Sequence, residues 1–345
     1  VSSIVFRRGV IAASGRITFD PPPRYAFCAR PEPDESFDRG SFRRKLHQID
    51  ACGDFGERFL EALSDPFDLD ELEAALARAR RDPAAPRAFK DAAAEMLWVA
   101  RASYTLRFPA DCHPAETVIF PATPHEHRGM EDLRLVRFVD DDGRERYYGT
   151  YTAYDGRTVR PMLMGTEDFQ AFRVSPLGGR FARNKGMALF PRLVDGHYLM
   201  VSRHDGENLF LLRSRNLHVW NSAQKLQAPK EPWELIQLGN CGSPLETDEG
   251  WIVLTHGVGP MRQYCIGAIL LDRDDPSRVI GRLREPLLAP VAEEREGYVP
   301  NVVYSCGSVV HGGRLIVPYA MSDSRTAFAE VRLAELLARL RRKRR

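Results

Sequence analysis

The stretch from Arg128 to Arg134 places two adjacent carboxylates, Glu131 and Asp132, between two arginines and directly before an alternating apolar run at 135–139. A strand behind a glycine-containing turn would hold one carboxylate toward a cleft, while a neighbouring arginine fixes or neutralises the other. Asp132 is therefore the candidate acid for breaking a bond. The alternative is a solvated turn with two surface ion pairs, because Glu-Asp-x-Arg is a common surface pattern.

Polar residues also follow or precede strand-like runs farther along the chain. In a ring of sheets the ends of the inner strands converge on one channel mouth, where such folds usually bind their ligands. Residues far apart in sequence would then meet in one site. The candidates that recur at suitable intervals are Asp132, Arg160, Asn184, Lys185, Arg203, His204, Asn240, His256, Asn301 and Asp323.

Residues 104–330 have the pattern of an all-β body. Short alternating runs are separated by turn signals such as Asp142-Gly143 and Asp205-Gly206, which is typical of consecutive antiparallel hairpins. A pattern at 166–172 returns at 214–220, an offset of 48 residues. This offset is close to the roughly 40–50-residue period of propeller blades, so the repeat favours a β-propeller over a sandwich.

Three further segments surround this body. Residues 1–35 are interpreted as short strands that join the propeller, with a hairpin near residue 15 that enters a larger sheet. Residues 36–103 have helical periodicity with a capped start near residue 68, and are interpreted as a helical insertion without chemistry. Residues 331–345 predict a short amphipathic helix and a basic tail.

The composition is that of an ordinary soluble protein with a large core: 345 residues, 43% of them hydrophobic and 28% charged. The net charge of +2, from 49 basic and 47 acidic residues, argues against a nucleic-acid partner. Six cysteines without a CxxC pair indicate neither a zinc site nor a disulfide framework. Without an apolar run of spanning length or a signal-peptide pattern, no membrane partner is expected and the cytoplasm is the predicted location. The opening Val1 is compatible with a piece of a longer protein.

Six ordered blocks carry a resemblance to a known family. They are 129–134 (GMEDLR), 151–154 (YTAY), 184–191 (NKGMALFP), 250–258 (GWIVLTHGV), 270–276 (LLDRDDP) and 297–303 (GYVPNVV). Together they resemble glycoside hydrolase family 130, the β-mannoside phosphorylases and β-mannosidases built on a five-bladed β-propeller. The resemblance covers roughly residues 105–330, and it implies a five-bladed propeller to which the helical insertion is an addition.

The resemblance implies an inverting reaction, in which an acid protonates the leaving oxygen while phosphate or water attacks the opposite face of the sugar. The aspartate of the first block, Asp132, would be the acid and would act through a sugar hydroxyl. Phosphorylases of the family hold inorganic phosphate with several fixed positive donors, which a dianion needs to leave water. By block position, the phosphate ligands here would be Arg160, Lys185 and His256.

Two positions depart from the family pattern. Gln237 stands where the family usually has a lysine, and Leu133 replaces the customary proline. One phosphate ligand is thus missing, which keeps hydrolysis open as an alternative. The family's hydrolases use a carboxylate as base, for which Glu207 and Glu296 are the candidates, although either could be a turn residue on the rim.

The substrate-binding residues implied by the resemblance and by position are Arg128, Glu131, Tyr154, Asp155, Asn184, Arg203, Asn240, Asn301 and Asp323. Simpler interpretations stay open for several site residues. Lys185 could be a surface lysine and His256 a satisfied core histidine. Arg160 could be a chance arginine and Asp323 a turn residue. Trp220 and Trp233 are interpreted as packing residues.

The leading hypothesis is an inverting, metal-independent β-mannoside phosphorylase that forms mannose 1-phosphate, with inorganic phosphate as co-substrate and no cofactor. A β-mannosidase on the same fold is the second hypothesis, and a non-catalytic carbohydrate-binding propeller is the third. The expected partner is a small oligosaccharide, and a homo-oligomer is left open.

Overall fold

The computed structural model describes residues 2–34, 36–48 and 53–341. Cys52 and positions 342–345 of the predicted basic tail lie outside these described residues. The chain is mostly β with a few helices, which confirms the predicted β-rich body. No helix in the described ranges combines the length and the apolar composition that crossing a lipid bilayer requires.

The N-terminal segment contributes five short strands: β1 (Ile4–Val5), β2 (Gly9–Ile11), β3 (Ile17–Phe19), β4 (Phe27–Cys28) and β5 (Glu32–Pro33). Strands β2 and β3 form the predicted hairpin, but among the described residues they pair only with each other, so the prediction that the hairpin enters a larger sheet is wrong. Phe19 at the end of this hairpin packs against Phe328 near the C-terminus, with the ring centres 5.7 Å apart. The hairpin therefore joins the two ends of the chain through side-chain packing.

Four helices follow: α1 (Arg39–Gln48), α2 (Asp54–Glu61), α3 (Leu69–Arg81) and α4 (Arg87–Arg101). Helix α3 begins at the predicted cap, where the Asp68 carboxylate accepts a hydrogen bond from the backbone N–H of Glu71 at 2.7 Å. Leu72 and Leu76 lie one turn apart on α3 and are buried in a core shared with the neighbouring sheet. This helical segment thus packs against the β body.

The first part of the β body contains β6 (Tyr104–Arg107), β7 (Thr117–Ile119), β8 (Gly129–Val139), β9 (Glu145–Tyr154), β10 (Val159–Thr166) and β11 (Ala171–Pro176). The first large sheet has six strands in the order β5, β6, β11, β10, β9, β8. Strand β7 lies between β1 and β4 in a small three-stranded sheet.

Three more antiparallel sheets follow in chain order. The second sheet contains β12 (Ala188–Leu189), β13 (Tyr198–Ser202), β14 (Leu209–Ser214) and β15 (Ser222–Gln227). The third contains β16 (Gln237–Asn240), β17 (Leu245–Thr247), β18 (Gly250–Val258), β19 (Tyr264–Leu271) and β20 (Val279–Arg282). The fourth contains β21 (Val303–Tyr304), β22 (Val309–His311), β23 (Arg314–Met321) and β24 (Arg325–Arg332), and helix α5 (Leu333–Leu340) ends the described chain.

Apolar cores join successive sheets. Val136 of the first sheet packs with Met200 of the second, and residues of the second sheet pack around Trp251 of the third. Leu254 of the third sheet shares another core with Leu315 of the fourth. All nine residues of β18 are buried, as expected for a strand with sheets packed on both faces.

The sheets present the same end of the body to the site. In each, one strand begins opposite the end of the strand that it pairs with, so strand ends and loops lie together there. The pairs at this end are Gly129 with Tyr154, Ala188 with Val201, Gln237 with Val258 and Val303 with Met321.

Candidate active site

Asp132 lies in a bulge near the start of β8. The pairing of β8 with β9 shifts between Glu131 and Arg134, which releases Asp132 from the regular ladder. Its φ of +58° falls in the left-handed region, which is uncommon for a residue with a side chain. Its side chain is 28% exposed. The bulge therefore gives Asp132 an orientation that simple strand alternation would not.

Arg134 is the buried anchor of this bulge, with 1% of its side chain exposed. Its Nε donates to the carbonyl of Cys241 at 2.7 Å, and its Nη1 donates to the carbonyl of Asp132 at 2.9 Å. Its Nη2 lies 3.7 Å from Oδ2 of Asp132. The expectation that a neighbouring arginine neutralises the other carboxylate, Glu131, is wrong, because Arg134 holds Asp132 itself.

Tyr304, from β21 of the fourth sheet, links Arg134 to Asp132. Its hydroxyl accepts a hydrogen bond from Nη2 of Arg134 at 2.5 Å and donates one to Oδ2 of Asp132 at 3.3 Å. Burial and the Asp132 carboxylate raise the pKa of Tyr304 well above its usual value, against an opposing effect of Arg134. The phenol therefore stays protonated and remains a donor to Asp132.

Glu131 is paired with Lys185 of the second sheet. Oε2 of Glu131 and Nζ of Lys185 are 2.6 Å apart, and both side chains are partly exposed. The same ammonium lies 6.0 Å from the ring centre of Tyr154. Asn184 has a φ of +66° and accepts a hydrogen bond from the Lys185 N–H at 2.8 Å, so its side chain shapes the turn that carries Lys185.

Asp323 comes from the turn between β23 and β24. Burial, followed by the charges of Asp132 and Glu131, raises the pKa of Asp323. Such charge effects require short separations, so carboxylates of the first and fourth sheets share one region. Acceptor-rich groups of this kind suit a ligand with many hydroxyl donors, such as a sugar.

His256 and Arg203 meet over Gly239. A Cβ atom added to Gly239 would lie 2.4 Å from Nε2 of His256 and 2.8 Å from Cδ of Arg203, so a side chain there would displace both. The buried imidazole lies 5.2 Å from the ring centre of Tyr304. Burial, Arg203 and Arg134 lower the pKa of His256 well below its usual value. At neutral pH it therefore offers one donor and one acceptor rather than a charge.

Several buried polar atoms here have no hydrogen-bond partner within the described part of the chain. They include both ring nitrogens of His256, Nε of Arg203 and both amide atoms of Asn240. An unsatisfied buried polar group costs roughly 1–3 kcal/mol, so native proteins usually pair such groups with water or a ligand. His256 and Asn240 therefore have hydrogen-bonding capacity that a ligand could use.

These contacts join side chains from all four large sheets. The first sheet supplies Asp132, the second Lys185 and Arg203, the third His256, and the fourth Tyr304. A carboxyl group close to cationic and neutral donors can give a proton to one atom of a ligand while an anion is held nearby. This combination suits transfer of a glycosyl group between oxygen atoms.

A family model described as beta-1,4-mannooligosaccharide phosphorylase matches residues 107–342. The chain belongs to glycoside hydrolase family 130. This confirms the membership predicted from the six blocks. Helices α1 to α4 precede the matched region, so the helical segment is not part of what the family shares.

Curated relatives in family 130 are named as phosphorylases. The chain is 33% identical over 213 residues to the 1,2-beta-oligomannan phosphorylase of Thermoanaerobacter sp. (strain X514), covering 59% of this chain and 68% of that protein. It is 29% identical over 235 residues to the beta-1,2-mannobiose phosphorylase of Listeria innocua, covering 64% of this chain and 63% of the relative. The chain thus spans about two thirds of the length of these relatives.

A solved structure of the Listeria innocua beta-1,2-mannobiose phosphorylase in complex with beta-1,2-mannobiose has the same fold. It aligns with a TM-score of 0.58 at 27% identity, covering 64% of this chain and 63% of that one.

Other predicted residues of the family 130 site lie outside the contacts described above. The guanidinium of Arg160 is 4.3 Å from the ring centre of Trp98 on α4, so it faces the helical segment. The Asp155 carboxylate accepts hydrogen bonds from the backbone N–H groups of Arg157 and Thr158 and from the Thr158 hydroxyl. These bonds hold the pKa of Asp155 below its usual range. Asp155 therefore closes the turn after β9, and substrate binding by Arg160 or Asp155 stays a prediction.

The remaining candidates occupy loops at the same end of the sheets. Arg128 is exposed and its backbone N–H donates to Tyr154. Asn301 has a φ of +63° and its carbonyl accepts from the backbone of Tyr264. The two candidate bases, Glu207 and Glu296, are both exposed. Their roles, like those of Arg128 and Asn301, stay predictions.

Sequence reasoning missed two residues that hold Asp132 in place. It did not select Tyr304, and it gave Arg134 no role beyond charge balance. Tyr304 directly follows the last family block, which ends in two buried valines, and this proximity was the only local signal. The contacts themselves join positions 170 residues apart, so only packing reveals them.

Proposed function

We propose that this chain catalyses the inverting phosphorolysis of β-mannosides to mannose 1-phosphate. The observation that carries the proposal is the orientation of Asp132 by Arg134 and Tyr304, at the end of the body where Lys185 and Arg203 also lie. The names of the curated relatives support the same reaction, and several of them support a β-1,2 linkage.

In the proposed reaction, a phosphate oxygen forms a bond to C1 of the mannose as the bond from C1 to the leaving sugar oxygen breaks. Asp132 supplies the proton that the leaving oxygen takes up, relayed through a hydroxyl of the same mannose. Lys185 and Arg203 would balance the charge of the phosphate, and neutral His256 would donate one hydrogen bond. Arg160 would add a further cation once its guanidinium left the Trp98 ring.

The sugar is proposed to bind through acceptors and amides around Asp132. Asp323 and Glu131 would accept hydrogen bonds from mannose hydroxyls, and Asn240 would use its unpaired amide. Tyr154 would contact a sugar face, as aromatic rings commonly do. Residues in the surrounding loops would bind the rest of the oligosaccharide: Arg128, Asp155, Asn184 and Asn301.

We also propose that the sheets form a five-bladed ring. The four large sheets would be four blades, and the small sheet of β1, β7 and β4 would be the fifth. The shared cores between successive sheets and the contact of Phe19 with Phe328 support a closed arrangement.

The test is to incubate the protein with β-1,2- and β-1,4-mannobiose, with and without phosphate. Phosphorolysis predicts mannose 1-phosphate, detected by phosphorus NMR, only when phosphate is present. Free mannose released equally fast in both conditions would refute phosphorolysis.

Hydrolysis is the second candidate, and a specific observation favours it. Glu131 already neutralises Lys185, and Gln237 stands in place of a further family lysine, so the phosphate site is poor in free cations. Glu207, exposed in the turn after β13, or Glu296 would then serve as the base that activates water. The same incubation decides between the two, because hydrolysis needs no phosphate.

A further inference from the structure

A second cavity lies between the helical segment and the β body. Its volume is about 790 Å³, and it is bounded by residues of α1 and α4, the start of β10, and the loop between β11 and β12. None of Asp132, Lys185 and His256 lines it. The cavity therefore lies beside the catalytic cluster rather than within it: it shares only Arg160 with the proposed phosphate ligands, and Arg183 on its wall lies two residues before Lys185.

The cavity wall carries three arginines. Its charged and polar side chains include His47, Trp98, Arg160, Arg180, Arg183 and Asn221, and the described lining residues include no aspartate or glutamate. Within the described part of the chain, Arg180 and Arg183 form no ion pair. Two guanidinium groups thus remain available to a ligand.

The loop that carries these arginines is fixed in place. Nε of Arg183 donates to the carbonyl of Arg180 at 2.7 Å, and the backbone N–H of Arg180 donates to Oδ1 of Asn221 at 2.7 Å. Gly179 has a φ of +101°, and a Cβ atom there would lie 2.6 Å from the backbone nitrogen of Trp220. The loop therefore presents its arginines without needing to be ordered by a ligand.

Trp98 on α4 also lines this wall. It is 6% exposed, and its indole N–H has no acceptor within the described residues. Its ring also carries the guanidinium of Arg160 at 4.3 Å. Donors thus dominate this wall, and the ligand that matches them is rich in anionic oxygen atoms.

We propose that this cavity binds an acidic saccharide unit, that is, a sugar carrying a phosphate ester or a carboxylate. Arginine forks pair well with either group, and the volume falls within the range of roughly 300–1,000 Å³ that holds a small organic ligand rather than a bare ion. The arginine loop leads directly into the turn of Lys185. The bound unit would therefore belong to the mannoside substrate, and in this respect the proposal rests on the proposed function.

The test is isothermal titration calorimetry of the whole chain with mannose 6-phosphate, mannuronic acid, mannose and inorganic phosphate at low ionic strength. We expect one or both acidic sugars to bind at least tenfold more tightly than mannose and inorganic phosphate, and their comparison identifies the acidic group. The double variant Arg180→Ala/Arg183→Ala should weaken that binding by about tenfold to a hundredfold, since each of the two lost charged contacts costs roughly a factor of ten.

The matched control is Arg273→Ala/Arg278→Ala, which removes two exposed arginines that do not line the cavity. It should leave binding within about twofold. Equal binding by the Arg180/Arg183 variant and the wild type would overturn the proposal, and so would mannose or inorganic phosphate binding as tightly as the acidic sugars. Phosphorolysis of neutral mannobiose is measured separately. If no turnover occurs but the arginine-dependent binding persists, the proposed function fails while the cavity's ligand class stands.

Discussion

Replacing Tyr304 with phenylalanine tests how Asp132 is positioned, because it removes one oxygen and keeps the ring. That oxygen accepts from Arg134 at 2.5 Å and donates to Asp132 at 3.3 Å. The ring itself contacts His256, with centres 5.2 Å apart, and would stay in place. The substitution therefore removes the link between guanidinium and carboxylate without opening a large cavity.

The expected magnitudes follow from these contacts. A hydrogen bond to a charged group contributes roughly 1.5–3 kcal/mol, and Arg134 keeps its bonds to the carbonyls of Cys241 and Asp132. We expect the free energy of unfolding to fall by about 2 kcal/mol. Asp132 would also lose the donor that fixes its carboxylate. If the looser carboxylate raises the activation free energy by about 1.4 kcal/mol, kcat falls tenfold.

The assay combines urea unfolding with steady-state phosphorolysis of mannobiose. Tyr264→Phe is the matched control, since its ring lies 5.8 Å from that of His256 but its hydroxyl has no hydrogen-bond partner in the described residues. The control should keep its free energy of unfolding within about 0.5 kcal/mol of the wild type and its kcat within about twofold. If Tyr304→Phe behaves like Tyr264→Phe in both measurements, Tyr304 does not position the acid.

Three further predictions concern the same site. Asp132→Asn should lower kcat by roughly 10²–10⁴ with the circular dichroism spectrum unchanged, and a smaller loss would remove Asp132 as the acid. Lys185→Met should raise the KM for phosphate about tenfold or more, whereas an effect on the mannoside alone would assign Lys185 to the sugar. The fold lowers the pKa of His256 well below its usual value of 6.5. Below pH 6.5 the imidazole therefore becomes protonated in the unfolded chain while it stays neutral in the folded one. Stability should then fall by up to about 1.4 kcal/mol per pH unit on acidification, and urea unfolding of His256→Asn between pH 5 and 8 should lack this slope.

Local patterns predicted several features well, because these features depend on neighbouring residues. The cap at Asp68 and the hairpin near residue 15 are formed, and the alternating runs are strands. The predicted C-terminal helix starts at Leu333 rather than at 331, since β24 continues to Arg332. The prediction that the hairpin enters a larger sheet was wrong for a different reason. Phe19 packs on Phe328, and no local pattern encodes that contact.

The sequence alone determined the strand-rich body, the family blocks and the choice of Asp132, because turn signals, alternation and ordered motifs are properties of short segments. The tertiary structure decided which charges meet. Glu131 pairs with Lys185 across 54 positions, and Tyr304 reaches Arg134 across 170. It also decided that Arg160 lies on Trp98. Partners of this kind depend on which sheets and helices pack side by side, and side-chain periodicity within one strand carries no information about that arrangement.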